Sequence, residues 1–358
     1  MTPEWEPLHV TTDDYHTGGE PFRIVTGGAP DLLGQTVAER RLWAADHVDH
    51  IRKLLVNEPR GHADMYGCFV TPPDDEDADL GVVFFHNEGY STACGHGTIA
   101  LATWAVDTGR VAPDGDNRVQ MRIDAPSGRL DVTARLDEDG QVEGVSFRNV
   151  PSFVKGELVV DMPNGRTGGT TIAFGGAFYA IVKAVDAGLD ITRQNLPQII
   201  AWARDLKQTL NADHEWVHPL DPRLRDIYGV ILVEEVDPRP LDVHMVLGDS
   251  VLGDPGEGFV VQRNVTVFAD GEVDRSPTGS GTSARLAALH RYGQIAVGQG
   301  LVNLSIIDTV MSGMIEGTTT IAGHPAVHTR IGGTAFRTGT HEFTLDPRDD
   351  LGTGFQLR

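Results

Sequence analysis

A cysteine and a threonine occupy the same place in two copies of one short pattern. Cys94-Gly95-His96-Gly97-Thr98-Ile99-Ala100 is echoed by Thr278-Gly279-Ser280-Gly281-Thr282-Ser283-Ala284, and the offset from Cys94 to Thr278 is 184 residues. The stretches that follow, 98–106 and 282–289, read as helices, with Ile99, Leu101, Ala102, Ala105 and Val106 as the buried stripe of the first. A thiol and a hydroxyl thus precede two helix N-termini. Unpaired backbone N–H groups and the positive helix end bind anions and favour a thiolate there. Two such ends facing each other would hold one carboxylate midway between them, and Gly95, Gly97, Gly279 and Gly281 would let the backbone approach it closely.

The elements that must position these residues are themselves repeated. Phe22-Arg23-Ile24-Val25 corresponds to Phe178-Tyr179-Ala180-Ile181, and Met65-Tyr66-Gly67-Cys68-Phe69-Val70 to Ile227-Tyr228-Gly229-Val230-Ile231-Leu232, in the same order in both halves. Helical spacing of apolar residues over 37–55 (Val37, Leu42, Trp43, Val48, Ile51, Leu54, Leu55) and over 195–211 (Leu196, Ile199, Ile200, Trp202, Leu206, Leu210) places a helix between the repeated segments of each half. Short β-rich segments surround them at 20–26, 65–71, 81–86, 118–124, 129–135, 172–183, 228–235, 258–268 and 303–309. The expectation is an α+β chain of two similar, pseudo-symmetric domains. They would span about 1–165, carrying Cys94, and 166–337, carrying Asp274 and Thr278, with the segment from about 338 returning to the first domain. At 358 residues the chain exceeds one ordinary core.

A formal net charge of −22 disfavours nucleic acid and anionic membranes as partners and leaves a small molecule as the expected ligand. The acidic run at 74–79 reads as a solvated loop. Two cysteines make no disulfide framework, residues 1–10 lack the features of a signal peptide, and no run is apolar for long enough to cross a bilayer. A reducing, cytoplasmic setting with both thiols free follows as the expectation. Gly279-Ser280-Gly281-Thr282 mimics a dinucleotide fingerprint, but Asp274-Arg275-Ser276-Pro277 stands where its strand should run, so NAD is not expected. The fourteen histidines form no His-Glu-x-x-His, and the sequence holds no Cys-x-x-Cys, so no metal is indicated.

The chain resembles the proline racemase family, which includes hydroxyproline epimerases and trans-3-hydroxy-L-proline dehydratases. The resemblance rests on Asp14-Tyr15-His16-Thr17-Gly18-Gly19-Glu20-Pro21-Phe22-Arg23, Arg60-Gly61-His62-Ala63-Asp64-Met65-Tyr66-Gly67, Cys94-Gly95-His96-Gly97-Thr98 and Asp274-Arg275-Ser276-Pro277-Thr278-Gly279-Ser280-Gly281-Thr282. It implies a diaminopimelate epimerase-like fold, each domain a curved mixed sheet around a central helix, with the active site in the cleft, no cofactor and a homodimer. Racemizing members use one cysteine from each half; Cys94 matches the first and Thr278 replaces the second. An aliphatic hydroxyl exchanges protons far less readily than a thiol of pKa ~8.5. The Cys/Thr pattern is similar to that of the dehydratases, in which Cys94 would take the α-proton and the 3-hydroxyl would leave as water. By the same resemblance, Gly95, His96, Gly279 and Ser280 bind the substrate carboxylate and Asp274 the ring ammonium, Ser280 standing where many relatives carry threonine.

An epimerase of hydroxyproline or proline that tolerates Thr278 is the alternative, and a non-catalytic imino-acid binding protein a second. Cys68 aligns with Val230 and reads as a core hydrophobe. His16 and His62 fit loop packing as well as substrate contact, and His244 is a candidate to line the cleft.

Overall fold

The computed structural model of the protein describes residues 8–113, 115–237 and 259–357. His244 lies outside the described residues. Among the described residues strands dominate, linked in one mixed sheet of 17 strands.

The sequence repeat is visible in strand register. In the first half, Leu8–Thr17 and Glu20–Gly27 form an antiparallel hairpin, Glu20–Gly27 pairs in parallel with Tyr66–Thr71, and Tyr66–Thr71 pairs antiparallel with Leu80–His86. In the second half, Thr167–Phe174, Phe178–Lys183, Ile227–Glu235 and Val260–Phe268 do the same in the same order. Arg23 faces Gly67, Ile24 faces Cys68 and Val25 faces Phe69, while Tyr179 faces Gly229, Ala180 faces Val230 and Ile181 faces Ile231. These are identical pairs under the repeat. Each parallel pair needs a crossover that carries the chain back along the sheet. Helices Val37–His47 and Asp49–Val56 lie in the first crossover, and Leu196–Asp213 in the second.

Each half then delivers a central helix, Gly95–Asp107 and Gly279–Arg291. Every residue from Gly95 to Ala105 and from Gly279 to Leu289 is buried, as small and apolar residues on all faces require. The polar exceptions are satisfied inside: Trp104 Nε1 donates to Asp13 Oδ2 at 2.9 Å, and Arg285 Nε to Gln262 Oε1 at 2.9 Å. Strand His324–Gly333 pairs with both Val142–Arg148 and Ser152–Asp161, and Ala335–Leu345 runs beside Leu8–Thr17 from Ala335 opposite Thr17 to Leu345 opposite Leu8. The last long strand therefore lies beside the first. Among the described residues, no helix is long and apolar enough to cross a membrane.

Several expected elements differ in detail. The helix expected over 37–55 is two helices, because Val48 (φ −122°, ψ 15°) ends one and opens the other, and Leu42 faces solvent. The strand expected at 172–183 is a hairpin turning at Gly176 (φ 104°). The segment 303–309 leaves the sheet after Leu304, where Asp308 (φ 65°) closes a turn. Strand Ala335–Leu345 escaped the pattern because most of its side chains are exposed and its alternation of apolar and polar residues is weak. The acidic run 74–79 is an exposed loop that also works locally: Asp74 accepts the Val37 N–H at a helix start, and Asp75 pairs with Arg129 at 2.7 Å.

Candidate active site

The N-termini of the two central helices meet backbone to backbone. A Cβ on Gly95 would lie 2.5 Å from Gly279 Cα, and one on Gly279 would lie 2.8 Å from Gly95 Cα. Gly97 and Gly281 leave space for the residue ahead of each helix, since a Cβ on Gly97 would lie 2.7 Å from Cys94 Sγ and one on Gly281 3.2 Å from Thr278 Cβ. Their absent side chains admit the opposite helix and the two capping residues. Cys94, His96, Asp274, Thr278, Ser280, Gly95 and Gly279 are thereby gathered into one buried site.

The two residues ahead of the helices are not equivalent in conformation. Cys94 is extended (φ −151°, ψ 101°), and its Sγ accepts the Gly97 N–H at 3.2 Å. Thr278 is left-handed (φ 63°, ψ 98°) and makes no side-chain cap. Its hydroxyl lies 2.8 Å from Asp274 Oδ2 and 2.8 Å from Thr266 Oγ1. One hydroxyl has one proton and an ionised carboxylate only accepts, so Thr278 donates to Asp274 and receives from Thr266. A β-branched residue at positive φ stores about 1–3 kcal/mol and persists only where its surroundings over-determine it. Here the Thr278 N–H donates to Ser276 Oγ (3.1 Å), its carbonyl accepts from the Thr282 N–H (2.7 Å), and the Pro277 carbonyl accepts from Asn264 Nδ2 (2.8 Å) and Asn303 Nδ2 (3.2 Å).

His96 stands between the thiol and the carboxylate. Its Nε2 is 3.4 Å from Cys94 Sγ, and its Nδ1 is 3.7 Å from Asp274 Oδ2. Tyr66 meets the ring edge-on with centroids 4.9 Å apart, and the His96 carbonyl accepts the Thr17 hydroxyl at 2.9 Å. Burial pushes the Asp274 carboxyl up, but the His96 charge and hydrogen bonds from His96, Ser276 and Thr278 outweigh it and hold the group below its usual range. Burial pushes the Cys94 thiol well above its ordinary value; the Gly97 N–H opposes this, while the charges of Asp274 and Glu20 add to it. The helix end contacts the sulfur as expected, yet in the unliganded protein it does not make a thiolate. That corrects the expectation drawn from the helix position alone.

Sequence reasoning missed the tyrosines and the first-half carboxylates around this centre. Tyr66 and Tyr228, equivalents under the repeat, meet hydroxyl to hydroxyl at 3.0 Å, with Ser91 Oγ 2.5 Å from the Tyr66 hydroxyl and Tyr179 bonded to Ser280 Oγ at 2.7 Å. The signal was available, because residues equivalent under a two-fold meet where its axis passes. From the first half, Asp64 accepts the Val273 N–H (3.0 Å) and Arg275 Nη2 (3.1 Å), and Glu20 accepts the Arg275 N–H (2.8 Å). These bonds flank Asp274. A crevice of about 140 Å³ lies alongside, lined by Asp64, Asn87, Glu88, Ile200, Arg204 and Glu272 among others.

Other candidates fall outside the centre. Cys68 is fully buried in the core cluster, its thiol pushed up by burial. His16 Nδ1 receives the Gly19 N–H at 3.3 Å and its ring lies against Phe336, whereas His62 is exposed and bonds to the Ala63 carbonyl. Both serve loop packing. Among the described residues, no three His, Cys, Asp or Glu side chains group as metal ligands.

The proline racemase family pattern matches residues 13–356. The chain belongs to the proline racemase family. It is 42% identical over 347 residues to trans-3-hydroxy-L-proline dehydratase of Bacillus cereus, covering 97% of this chain and 98% of that protein. It is also 42% identical over 355 residues to 3-hydroxyproline 2-epimerase of Burkholderia multivorans, covering 98% of each. A solved family structure, a hydroxyproline epimerase from Agrobacterium vitis with bound trans-4-hydroxy-L-proline, superposes with a TM-score of 0.85 at 28% identity, covering 98% of this chain and 96% of that one.

Two predictions follow from this packing. Gly95→Ala sets a Cβ against Gly279 backbone and forces the helix ends apart, so ligand binding by calorimetry should be lost while a cooperative melt survives. Burial, then the charges of Glu88 and Asp64, push Glu272 from 4.5 up to about 8. The folded protein therefore holds a proton that the unfolded chain has released between those values, and stability falls as pH rises through that window. Glu272→Gln should remove this loss, leaving denaturation midpoints near those of the parent at pH ~4 and raising stability by a few kcal/mol, at about 1.4 kcal/mol per unit, at pH ~9.

Proposed function

We propose that the protein dehydrates trans-3-hydroxy-L-proline to pyrroline-2-carboxylate, with Cys94 as its only thiol base. The observation that carries this reading is the hydroxyl of Thr278, which occupies the second thiol's place and already donates to Asp274 at 2.8 Å. It leaves one face of the ring with a competent base. In trans-3-hydroxy-L-proline the α-hydrogen and the 3-hydroxyl lie on the same face, opposite the carboxylate, so one group can serve both. Curated relatives of that name at 42% identity support the same substrate class.

The backbone N–H groups of Gly95, His96, Gly279 and Ser280 hold the carboxylate in this reading, and Asp274 takes the ring ammonium. The cation offsets the carboxylate charge that raises the Cys94 thiol, so the thiol ionises as the substrate docks and its proton leaves the site for solvent, with the His96 ring 3.4 Å from Sγ beside the thiolate. The thiolate then removes the α-proton, the Cα–H electron pair becomes the Cα–C3 double bond, and the C3–O bond breaks. The leaving oxygen takes a proton from the thiol just formed and departs as water. The enamine product tautomerizes in solution. The two units, about 1–165 and 166–337, contribute one helix end each; the protein works without a cofactor, as a homodimer in the cytoplasm.

Epimerization at Cα is the second reading, favoured by the Burkholderia multivorans relative. In D2O an epimerase returns an intact imino acid labelled at Cα, whereas a dehydratase consumes its substrate. Purified protein with trans-3-hydroxy-L-proline should accumulate pyrroline-2-carboxylate by NMR, and intact, inverted, deuterated substrate would overturn the dehydratase reading. Cys94→Ser should lower kcat by about 10²–10⁴-fold, the range general-base catalysis contributes; retained turnover would sink the scheme. Thr278→Val removes the hydroxyl that holds Asp274, so KM should rise about tenfold while kcat changes little. A collapse of kcat at unchanged KM would instead assign the hydroxyl to the chemical step.

A further inference from the structure

The hairpin turn between Leu8–Thr17 and Glu20–Gly27 reaches out of the first half and lodges in the second. The Gly18 carbonyl accepts the Thr309 hydroxyl at 2.8 Å, and a Cβ on Gly19 would lie 2.5 Å from Ile307 Cδ1. Both glycines have positive φ (58° and 87°), the conformation that lets the turn fit. What the turn delivers is Glu20, 0% exposed. Its Oε2 accepts the Arg275 N–H at 2.8 Å, next in sequence to Asp274, while its Oε1 is buried with no hydrogen-bond partner among the described residues. Thr17, opposite Glu20 in the hairpin, bonds to the His96 carbonyl.

A buried carboxyl oxygen without a donor is costly enough that native structures rarely retain one without a use. The charges facing Glu20 indicate which donor is missing. Asp274 and Asp64 add negative charge around it against the charge of Arg275, and Glu20 is near enough to Cys94 that ionising it would raise the thiol. The missing donor is a cation. The ring nitrogen of an imino acid is a secondary ammonium with two N–H bonds pointing in different directions, and Asp274 satisfies one of them.

We propose that Glu20 Oε1 accepts the second N–H of the substrate's ring ammonium, so that Glu20 and Asp274 share the cation. The inference deepens the imino-acid reading of the site and rests on it. Burial, then the charges of Asp274 and Asp64 against that of Arg275, hold the Glu20 carboxyl well above its ordinary value, so the empty site carries a proton there. Docking of the cation releases that proton. Binding of a cyclic secondary ammonium is thereby coupled to proton release, and binding of a neutral ring nitrogen is not.

The test is calorimetric binding of L-proline and of pyrrole-2-carboxylate, whose flat ring nitrogen bears one N–H and no charge. Binding is measured in two buffers of different ionisation enthalpy, with wild type and Glu20→Gln. The amide keeps an oxygen for the Arg275 N–H and turns an NH2 donor toward the cation. L-Proline should bind the variant about 10- to 100-fold more weakly, the worth of a charge-assisted hydrogen bond. Pyrrole-2-carboxylate should bind both proteins alike, and wild type should release about one more proton than the variant on binding L-proline. Unchanged L-proline affinity, or equal weakening of both ligands, overturns the proposal. If the variant lacks a cooperative melt, wild type with N-methyl-L-proline, which has one ammonium N–H, decides instead: affinity and proton release equal to those of L-proline overturn it. Failure of wild type to make pyrroline-2-carboxylate would sink the dehydratase reading and leave the ligand comparison intact.

Discussion

Two helix ends meet at Gly95 and Gly279 with no side chain between them, and the rest of the structure is arranged around that contact. It brings the N–H groups at the start of both helices to one spot in a buried interior, where those without an acceptor demand an anion. Everything near it is chosen to tolerate or exploit that demand. Cys94 satisfies one donor with its sulfur, Thr278 satisfies none, and the remaining donors stay available. The central helices must be buried on all sides to bring their ends together, and strands enclose them: Leu8–Thr17 and Val142–Arg148 pack on the first, Ser152–Asp161 and His324–Gly333 on the second.

The asymmetry at this point was legible as a residue difference but not as a geometry. Cys94 and Thr278 align in sequence, yet one backbone is extended and the other left-handed, and no local pattern foretells a threonine at φ 63°. The neighbouring Ser276 and Thr282 bond the Thr278 N–H and carbonyl, while Asn264 and Asn303, brought in by other strands, fix the Pro277 carbonyl ahead of it. The effect of this conformation is to turn the hydroxyl away from its own helix and toward Asp274. The same pattern that identified the helices predicted a thiolate at Cys94, and it erred because helix-end stabilisation is modest whereas full burial is not.

The architecture was more readable than the site. Three short matches fixed the order of elements in both halves, and the strand register repeats them pair for pair. What periodicity could not supply were the polar strands such as Ala335–Leu345, whose place is set by pairing with Leu8–Thr17 rather than by their own composition. Nor could it reveal Glu20, Asp64 and Arg275, which act across the two halves and become a cluster only when the chain has folded.

Enclosure of the thiol has a consequence for the lifetime of the protein. Peroxides attack thiolates that solvent can reach, and the oxidised acids formed beyond the first step are irreversible. Cys94 at rest is both shut away, at 6% exposure, and held as the neutral thiol by its burial and its carboxylate neighbours. Reactivity is thus confined to the interval in which ligand occupies the site and shields the sulfur itself. The resting protein therefore keeps its base in a form that oxidants in solution neither reach nor find ionised, and the ligand that ionises the sulfur also covers it.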